Sequence, residues 1–595
     1  MPNAPMPNAN SSPDQLPPPP PASPVASVAS VAVPLPQRTA GPPLPMILLC
    51  GFVAVAAVVF VYWPVTGFEF LNFDDNGYVT ENMVVRDGLG ASSLSYAFTA
   101  TETNLWHPLT WLSHMLDCEL FGLHAGAHHA VNLGLHAANT LLVFLFLALS
   151  TGRLGPSWFV AIVFGLHPAH VESVAWISER KDLLCAFFWF LTLCAYLAYH
   201  ASCGRAGWRG WWCYALVVLL FLAALLSKPM AVSLPLVLLL VDVWPLRRIT
   251  LWRPAGGWRG IGQLLSSRPV LEKLPLFALA LVASVIAFVL QAGGSHADAL
   301  DSQPAASRIG LVLLAYARYF AMLFWPGAHL APDYPYPGIL PLFQCLTVLV
   351  LAAGITAAAL ATARRWPWFL VGWLWFCIVL LPVSGVVELG RVFIADRYTY
   401  LPWTGLSVIV AWGVAGLLNQ RLRLRLRLRL RLRRVPALAM VFVAGLALVV
   451  FLGLSCRRQV LVWRDSETLF RHTLGVHPGS LFGLHNLGGA LDAQGRHEEA
   501  LQYFRLLVHH HPDFHAGYSS LARAAGREGR HRQAERLFRE ALTKSTDSLP
   551  ALTGLSISLA NLGQFEEARG CLQRVFEIEP NNPEAQRLWK FFEQR

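Results

Sequence analysis

The sequence predicts an all-α protein in two parts, a polytopic bundle of transmembrane helices followed by an α-solenoid of short helical repeats. Three observations carry that expectation. Hydrophobic residues make up 55% of the 595-residue chain and charged residues only 14%, against about 25% charged in soluble domains. Apolar runs close to the ~20 residues that span a bilayer recur from residue 46 to residue 455. Beyond them, residues 481–582 repeat with a period of 34.

Taken in order, residues 1–45 are rich in Pro, Ala, Ser and Val, with the run Pro17 to Pro20, and predict a disordered tail that cannot bury a core. Met46 to Trp63 predicts an uncleaved anchor. Further spans are expected at 127–150, 157–175, 182–200, 211–227, 229–245, 274–291, 343–362, 367–387, 400–418 and 436–455, making eleven in a membrane domain over 46–456. The run 308–325 is kept out of the count. Arg318 and two tyrosines interrupt it, and the positive-inside rule cannot accommodate it. That rule reads four basic segments as cytoplasmic: 201–210, 246–273, Arg364–Arg365 and 421–434. Eight of the 41 Arg lie in the last, which explains much of the +11 net charge as a topology signal. No aromatic residues are interleaved there to stack bases, so no nucleic-acid partner is expected. The outer loop 64–126 and everything after 456 then lie on the outer side, in the periplasm if the membrane is a bacterial inner membrane. The ten Cys sit mostly in apolar runs without a C-x-x-C pair, which excludes a disulfide or zinc framework.

In the repeat region Leu487, Leu521 and Leu555 recur in phase. Gly495, Gly529 and Gly563 follow eight residues later, then Ala500, Ala534 and Ala568. The units 481–514, 515–548 and 549–582, within a domain over 457–595, are similar to the tetratricopeptide repeat, in which small residues let paired helices approach. Trp463 to Pro478 reads as half of a leading repeat and Pro583 to Arg595 as a cap. Such arrays bind partner proteins in a concave groove; a plain spacer is the alternative.

Residues suited to chemistry cluster in the outer loops. Asp74 and Asp75 follow the first span within Asn72-Phe73-Asp74-Asp75-Asn76. His107 opens Trp106-His107-Pro108-Leu109-Thr110-Trp111, an aromatic-rich stretch suited to the membrane interface. His129, Asn132, His136 and Asn139 share one face of a span, either tying helices together or lining a cavity. His167, His170 and Glu172 are candidate metal ligands, although their spacing and Pro168 disfavour a zinc helix. Arg180 and Lys181 stand on the outer side against the charge rule, as candidates for an anionic ligand. Asp333, Arg391, Arg397 and Tyr398 come from two later segments. Arg397, flanked by aromatics, either binds a phosphate at headgroup level or pairs with Asp396.

The motifs F-D-D, H-P-L-T-W, H-P-x-H-V-E-S-V-A-W with E-R-K-D, and D-R-Y-T-Y-L-P before the repeats resemble the transmembrane and tetratricopeptide-repeat O-mannosyltransferases, in a bacterial-type member. The second repeat departs from the usual pattern with Thr546 in place of proline. The resemblance implies a C-type glycosyltransferase fold and a polyprenyl-phosphate sugar donor. It also implies a Ser or Thr hydroxyl acceptor, brought by the repeats, and the acidic pair Asp74 and Asp75 as catalytic residues. Sugar phosphates carry a good leaving group, so one carboxylate base suffices for an inverting displacement. Asp74 is the expected base with Asp75 orienting it. Arg397, Arg391 and Arg180 are the expected phosphate ligands, and His107, His167, His170, Glu172, Asp333 and Tyr398 line the site. No cofactor is required, and a divalent metal is the disfavoured alternative. The rival classes are a non-catalytic repeat scaffold and a transporter; the latter should show paired internal repeats with broken helices, which the sequence lacks.

Overall fold

A computed structural model describes residues 42–593 apart from 102–104, 203–207, 250–264, 293–304, 326–328, 338–339, 386–392 and 428–434. The expected tail up to residue 41, Arg391 and the end of the arginine run lie outside the described residues. All described regular structure is helical.

Eight helices among the described residues are long and apolar enough to cross a bilayer. Seven coincide with expected spans: Leu44–Gly67, Ala125–Thr151, Ile177–Ser202, Arg209–Ser227, Arg268–Leu290, Leu342–Thr362 and Phe442–Val462. The eighth, Ser307–Phe324, is the run the sequence reading set aside. The expected span 157–175 is a broken pair, Leu154–Leu166 and Pro168–Ala175, bent by 52°; Pro168 cannot continue the hydrogen-bond ladder. Two more expected spans are shorter apolar helices, Pro229–Val243 and Pro367–Val383. The run 400–418 begins as a helix only at Trp403, after Pro402. Among the described residues eight helices, nine with the bent pair, thus meet the length and apolarity of a crossing where eleven spans were expected, and prolines lie within the other expected runs.

Ser307–Phe324 makes several of its contacts near one end of the bundle. A Cβ on Gly310 would lie 3.1 Å from Leu340 and 3.2 Å from Cys345, at the start of the helix Leu342–Thr362. Tyr316 donates to the carbonyl of Cys377 at 2.7 Å, late in the helix Pro367–Leu380. At the far end the carbonyl of Leu323 lies 3.3 Å from His167 Nε2. Deeper along the helix Pro367–Leu380, Phe320 meets Trp373 at 6.5 Å between ring centroids.

Elsewhere the bundle closes through small residues. Gly372 and Gly405 bring Pro367–Leu380 and Trp403–Arg427 so close that a Cβ on Gly372 would lie 2.5 Å from the Gly405 carbonyl, the backbone approach that membrane helices exploit. The polar face His129–Asn139 ties helices together. Asn132 donates to the carbonyls of Val174 and Trp176 at 3.2 Å each, and His136 Nδ1 lies 2.7 Å from Tyr400 Oη. Asn139 donates to Leu183 O at 3.0 Å and to Tyr400 at 3.2 Å. All four are fully buried.

After the membrane part come a leading helix, Ser466–Val476, then the pairs Leu481–Ala493 with His497–His510, His515–Arg527 with His531–Lys544, and Leu549–Asn561 with Phe565–Ile578. A last helix, Pro583–Glu593, follows. Gly495, Gly529 and Gly563 take φ of 80°, 73° and 81°, the left-handed conformation that glycine adopts at a helix end. At Gly488 and Gly554 the rings of Phe504 and Phe538 fill the space a side chain would need. Despite Thr546 the second pair still ends, at Lys544.

Candidate active site

One end of the bundle gathers the loops at 68–82, 167–182, 228, 329–336 and 394–402 with the first repeat helices. Its acidic pair divides sharply. Asp75 is buried and every bond it accepts comes from a neutral donor. Its Oδ2 takes the Leu71 N–H at 3.0 Å, and its Oδ1 takes the Ser178 N–H at 3.0 Å and the Ser178 hydroxyl. Burial lifts its carboxyl to about 6, against the pull of those hydrogen bonds. Asp74 is exposed. Surrounding protein still desolvates it enough to raise its carboxyl above the ordinary value, with Lys181 and Arg397 pulling down and Glu179 adding to the rise. Asp74 is thus open to solvent yet close enough to Lys181, Arg397 and Glu179 to feel their charge.

Three cations are gathered by one carboxylate nearby. Glu179 lies 3.0 Å from Lys181 Nζ, 3.4 Å from Lys228 Nζ and 3.3 Å from Arg397 Nε. Lys228 also donates to Asp182 at 2.6 Å. Arg397 donates to Glu172 through both its side chain and its backbone N–H, the latter at 2.9 Å. Its guanidinium lies 5.1 Å from the centroid of Tyr398 and 5.5 Å from that of Trp176, and Lys181 lies 4.7 Å from that of Tyr78. Charges paired this way in low dielectric are held rigidly.

The other expected site residues distribute as follows. His107 is buried between Tyr78 and Trp111, at 5.6 and 5.2 Å between ring centroids. Neither ring nitrogen has a hydrogen-bond partner, and burial drops it to about 3, helped by Lys181 and Lys228, so it is neutral. Trp111 is buried with it, so this face of the stretch packs into the protein. His167 Nδ1 accepts the Ala169 N–H at 3.3 Å, and His170 Nδ1 lies 2.8 Å from the Phe164 carbonyl. Both serve the polar groups freed where Pro168 breaks the helix. Among the described residues no group of three His, Cys, Asp or Glu side chains is arranged to hold a metal ion.

Arg180 is fully buried, near enough to Asp75 to feel its charge. It donates to Asn132 at 2.7 Å, Ser113 at 3.2 Å and the His128 carbonyl at 2.8 Å, and to Asp117. That set ties the outer-loop helix Pro108–Phe121 to two spans. Asp333 stands apart, accepting the Ser480 hydroxyl at 2.6 Å from the repeats. The residue the sequence reading missed is Lys228. Its signal was a lysine standing between two apolar runs, in a chain with only five lysines.

Models of the tetratricopeptide repeat match residues 527–588 and 484–508. Protein O-mannosyl-transferase Tmtc1 of Drosophila melanogaster is 24% identical over 491 residues, covering 68% of this chain and 54% of that protein. Human protein O-mannosyl-transferase TMTC4 is 25% identical over 452 residues, covering 68% and 58%. Its mouse counterpart is 25% identical over 495 residues, covering 73% and 63%. The chain is a multi-pass membrane protein with tetratricopeptide repeats, similar to these O-mannosyl-transferases. It spans between about half and two thirds of their length. These relatives come from animals, so they lend nothing to the expectation of a bacterial source. A solved structure titled APC/C hetero-tetramer Cut9-Hcn1 covers 84% of this chain and 98% of its own at 13% identity, with a TM-score of 0.24, too low to support a comparison of folds.

Proposed function

We propose that the chain is a membrane glycosyltransferase that moves a sugar, mannose or similar, from a polyprenyl-phosphate donor to a Ser or Thr hydroxyl. The observation that carries this reading is the open carboxylate of Asp74 beside Lys181, Lys228 and Arg397. Similarity to proteins named O-mannosyl-transferases supports it.

In this mechanism Asp74 takes the acceptor proton as the hydroxyl oxygen attacks C1 from the face opposite the phosphate. The C1–O bond to phosphate breaks in the same step, and the anomeric centre inverts. A carboxyl raised above its ordinary value makes the better base, since catalysis by proton transfer favours a pKa near the working pH. The leaving phosphate gathers charge, which Arg397, Lys181 and Lys228 stabilise. Each is already fixed by a carboxylate, so the cations need little reorganisation when charge develops. Asp75 holds the turn that presents Asp74. No step requires a metal.

The proposal also assigns sides. With Ser307–Phe324 lying along one end of the bundle, eleven crossings remain, counting the bent pair, the two shorter apolar helices and Trp403–Arg427. The acidic pair and the repeats then share the outer face, opposite the arginines of 421–434. For a bacterial chain that face is the periplasm.

The test is to incubate purified protein in lipid with labelled polyprenyl-phosphate mannose and a Ser/Thr peptide. Label in the peptide with inverted anomeric configuration is expected. Peptide binding without transfer of any sugar tried would instead favour the scaffold reading.

A further inference from the structure

The repeat array grips the loop that carries the acidic pair. Asn72 donates its backbone N–H to the Ser466 hydroxyl and its side-chain amide to the Asn486 carbonyl, each at 2.9 Å. Two residues upstream of the hydroxyl, in the chain leading into the repeats, the Arg464 carbonyl accepts the Glu69 N–H at 3.2 Å. Phe73, the residue before Asp74, stacks on Trp176 at 4.5 Å and 8° between ring planes. Its edges meet Phe470 at 5.7 Å and Phe482 at 5.9 Å, from the first two repeat helices. Trp176 in turn precedes Ile177 and Ser178, and Ser178 holds Asp75.

We propose that Asn72, Phe73, Phe470 and Phe482 form a clamp by which the first repeat sets the position of Asp74, so that the repeats are part of the catalytic apparatus as well as a surface for partners. This rests on the reading of Asp74 as base given above. The physical argument is one of leverage. Asp74 itself is exposed, so packing of its own side chain fixes it little. Its backbone is held on one side by Phe73 in an aromatic sandwich and on the other by Tyr78, whose N–H donates to the Asp74 carbonyl at 3.0 Å. Half of that sandwich belongs to the repeats. Aromatic pairs at these separations prefer stacked and edge-on geometry and add about 0.5–1.5 kcal/mol each beyond burial. A base displaced by about 1 Å can lose on the order of 100-fold in rate. Asn72, Phe73, Phe470 and Phe482 are positioning residues in this scheme; none is asked to touch the sugar.

The experiment uses the full chain in lipid and the variants Phe482→Ala, Phe482→Tyr and Phe73→Ala. Two quantities are read: amide hydrogen exchange over residues 69–80, and turnover with a short Ser/Thr peptide too small to engage the repeats. The clamp predicts faster exchange over 69–80 in Phe482→Ala and a fall in kcat of about 10- to 100-fold at unchanged KM for the donor. Phe482→Tyr should restore both. Unchanged exchange in Phe482→Ala would overturn the proposal. So would faster exchange with unchanged kcat, or a defect confined to KM for long acceptors, which is the pattern of a repeat that only recruits. If the unaltered chain transfers no sugar, the enzyme reading fails by itself, and the exchange measurement alone decides whether the repeats hold the loop.

Discussion

The two ends of the membrane bundle each carry a cluster of carboxylates and cations, and they differ in one respect. At the end opposite the repeats, Asp242 and Glu272 meet Arg248, Lys273 and three tyrosines. Asp242 accepts from Tyr196 through both oxygens at 2.9 Å and from Arg248 at 3.1 Å, and contacts Lys273. Glu272 accepts from Lys273 at 2.9 Å, Tyr199 at 3.0 Å and Arg248 at 3.1 Å. Two negative and two positive groups close on themselves, with Asp242 and Lys273 fully buried. At the repeat end Glu172, Glu179 and Asp182 hold three cations in the same way, but Asp74 is left over and open. A buried polar cluster therefore does not mark a site by itself. The open member beside charges that are already fixed does.

The largest effect expected from this difference is at Asp74. Asp74→Asn removes the open carboxylate beside the fixed charges without leaving a buried charge unpaired, so transfer should fall by about 100- to 10,000-fold, the usual contribution of a general base. Folded yield and thermal midpoint should stay within error. A variant that transfers sugar at the original rate would dissolve the distinction between the two ends.

The opposite end should respond in the reverse sense. Asp242→Asn leaves Lys273 buried with one partner fewer, and breaking a buried pair in this way costs about 3–5 kcal/mol. A lower thermal midpoint in detergent is expected, while the fraction that remains folded keeps its turnover. Loss of turnover at full stability would show that this end also takes part in the reaction.

The sequence announces some of this and conceals the rest for physical reasons. The long spans are legible because lipid demands continuous apolar runs. The repeats are legible because Leu487, Leu521 and Leu555 must meet the same partners every 34 residues. The interrupted spans are harder to read: Pro168 and Pro402 sit inside apolar runs, and hydropathy does not register a break. Arg180 and Lys181 show the main limit at the site. They are adjacent in sequence, but neighbouring helical residues point about 100° apart. Arg180 therefore turns to Asp117 and Asn132 while Lys181 turns to Glu179 and the Asp74 carboxylate. Lys228 reaches Asp182 and Glu179 across 46 and 49 positions, a pairing that only the packed bundle reveals. Asp74 and Asp75 were found together, yet their division into one open and one buried carboxylate depends on Ser178 arriving from another loop.

That division yields the smallest and most specific expectation, a pH dependence. Ionised, Asp75 accepts three hydrogen bonds, from Leu71 N–H, Ser178 N–H and the Ser178 hydroxyl. With its carboxyl lifted to about 6 by burial, it takes up a proton as pH falls from 7 towards 5. The protonated group becomes a donor at one oxygen, and one of the three bonds must be given up. Turnover should therefore decline as pH drops through about 6, with faster exchange over residues 69–80 in the same interval. Asp75→Asn imposes the same mismatch at every pH, since an amide N–H would face a backbone or hydroxyl donor. Leaving one buried donor unsatisfied costs about 1–3 kcal/mol, so that variant should be slower throughout and should lose the step near pH 6. At the opposite end, Asp242→Asn should keep that step. If the step instead survives in Asp75→Asn, it belongs to another group, and Asp75 is not what holds Asp74 in register.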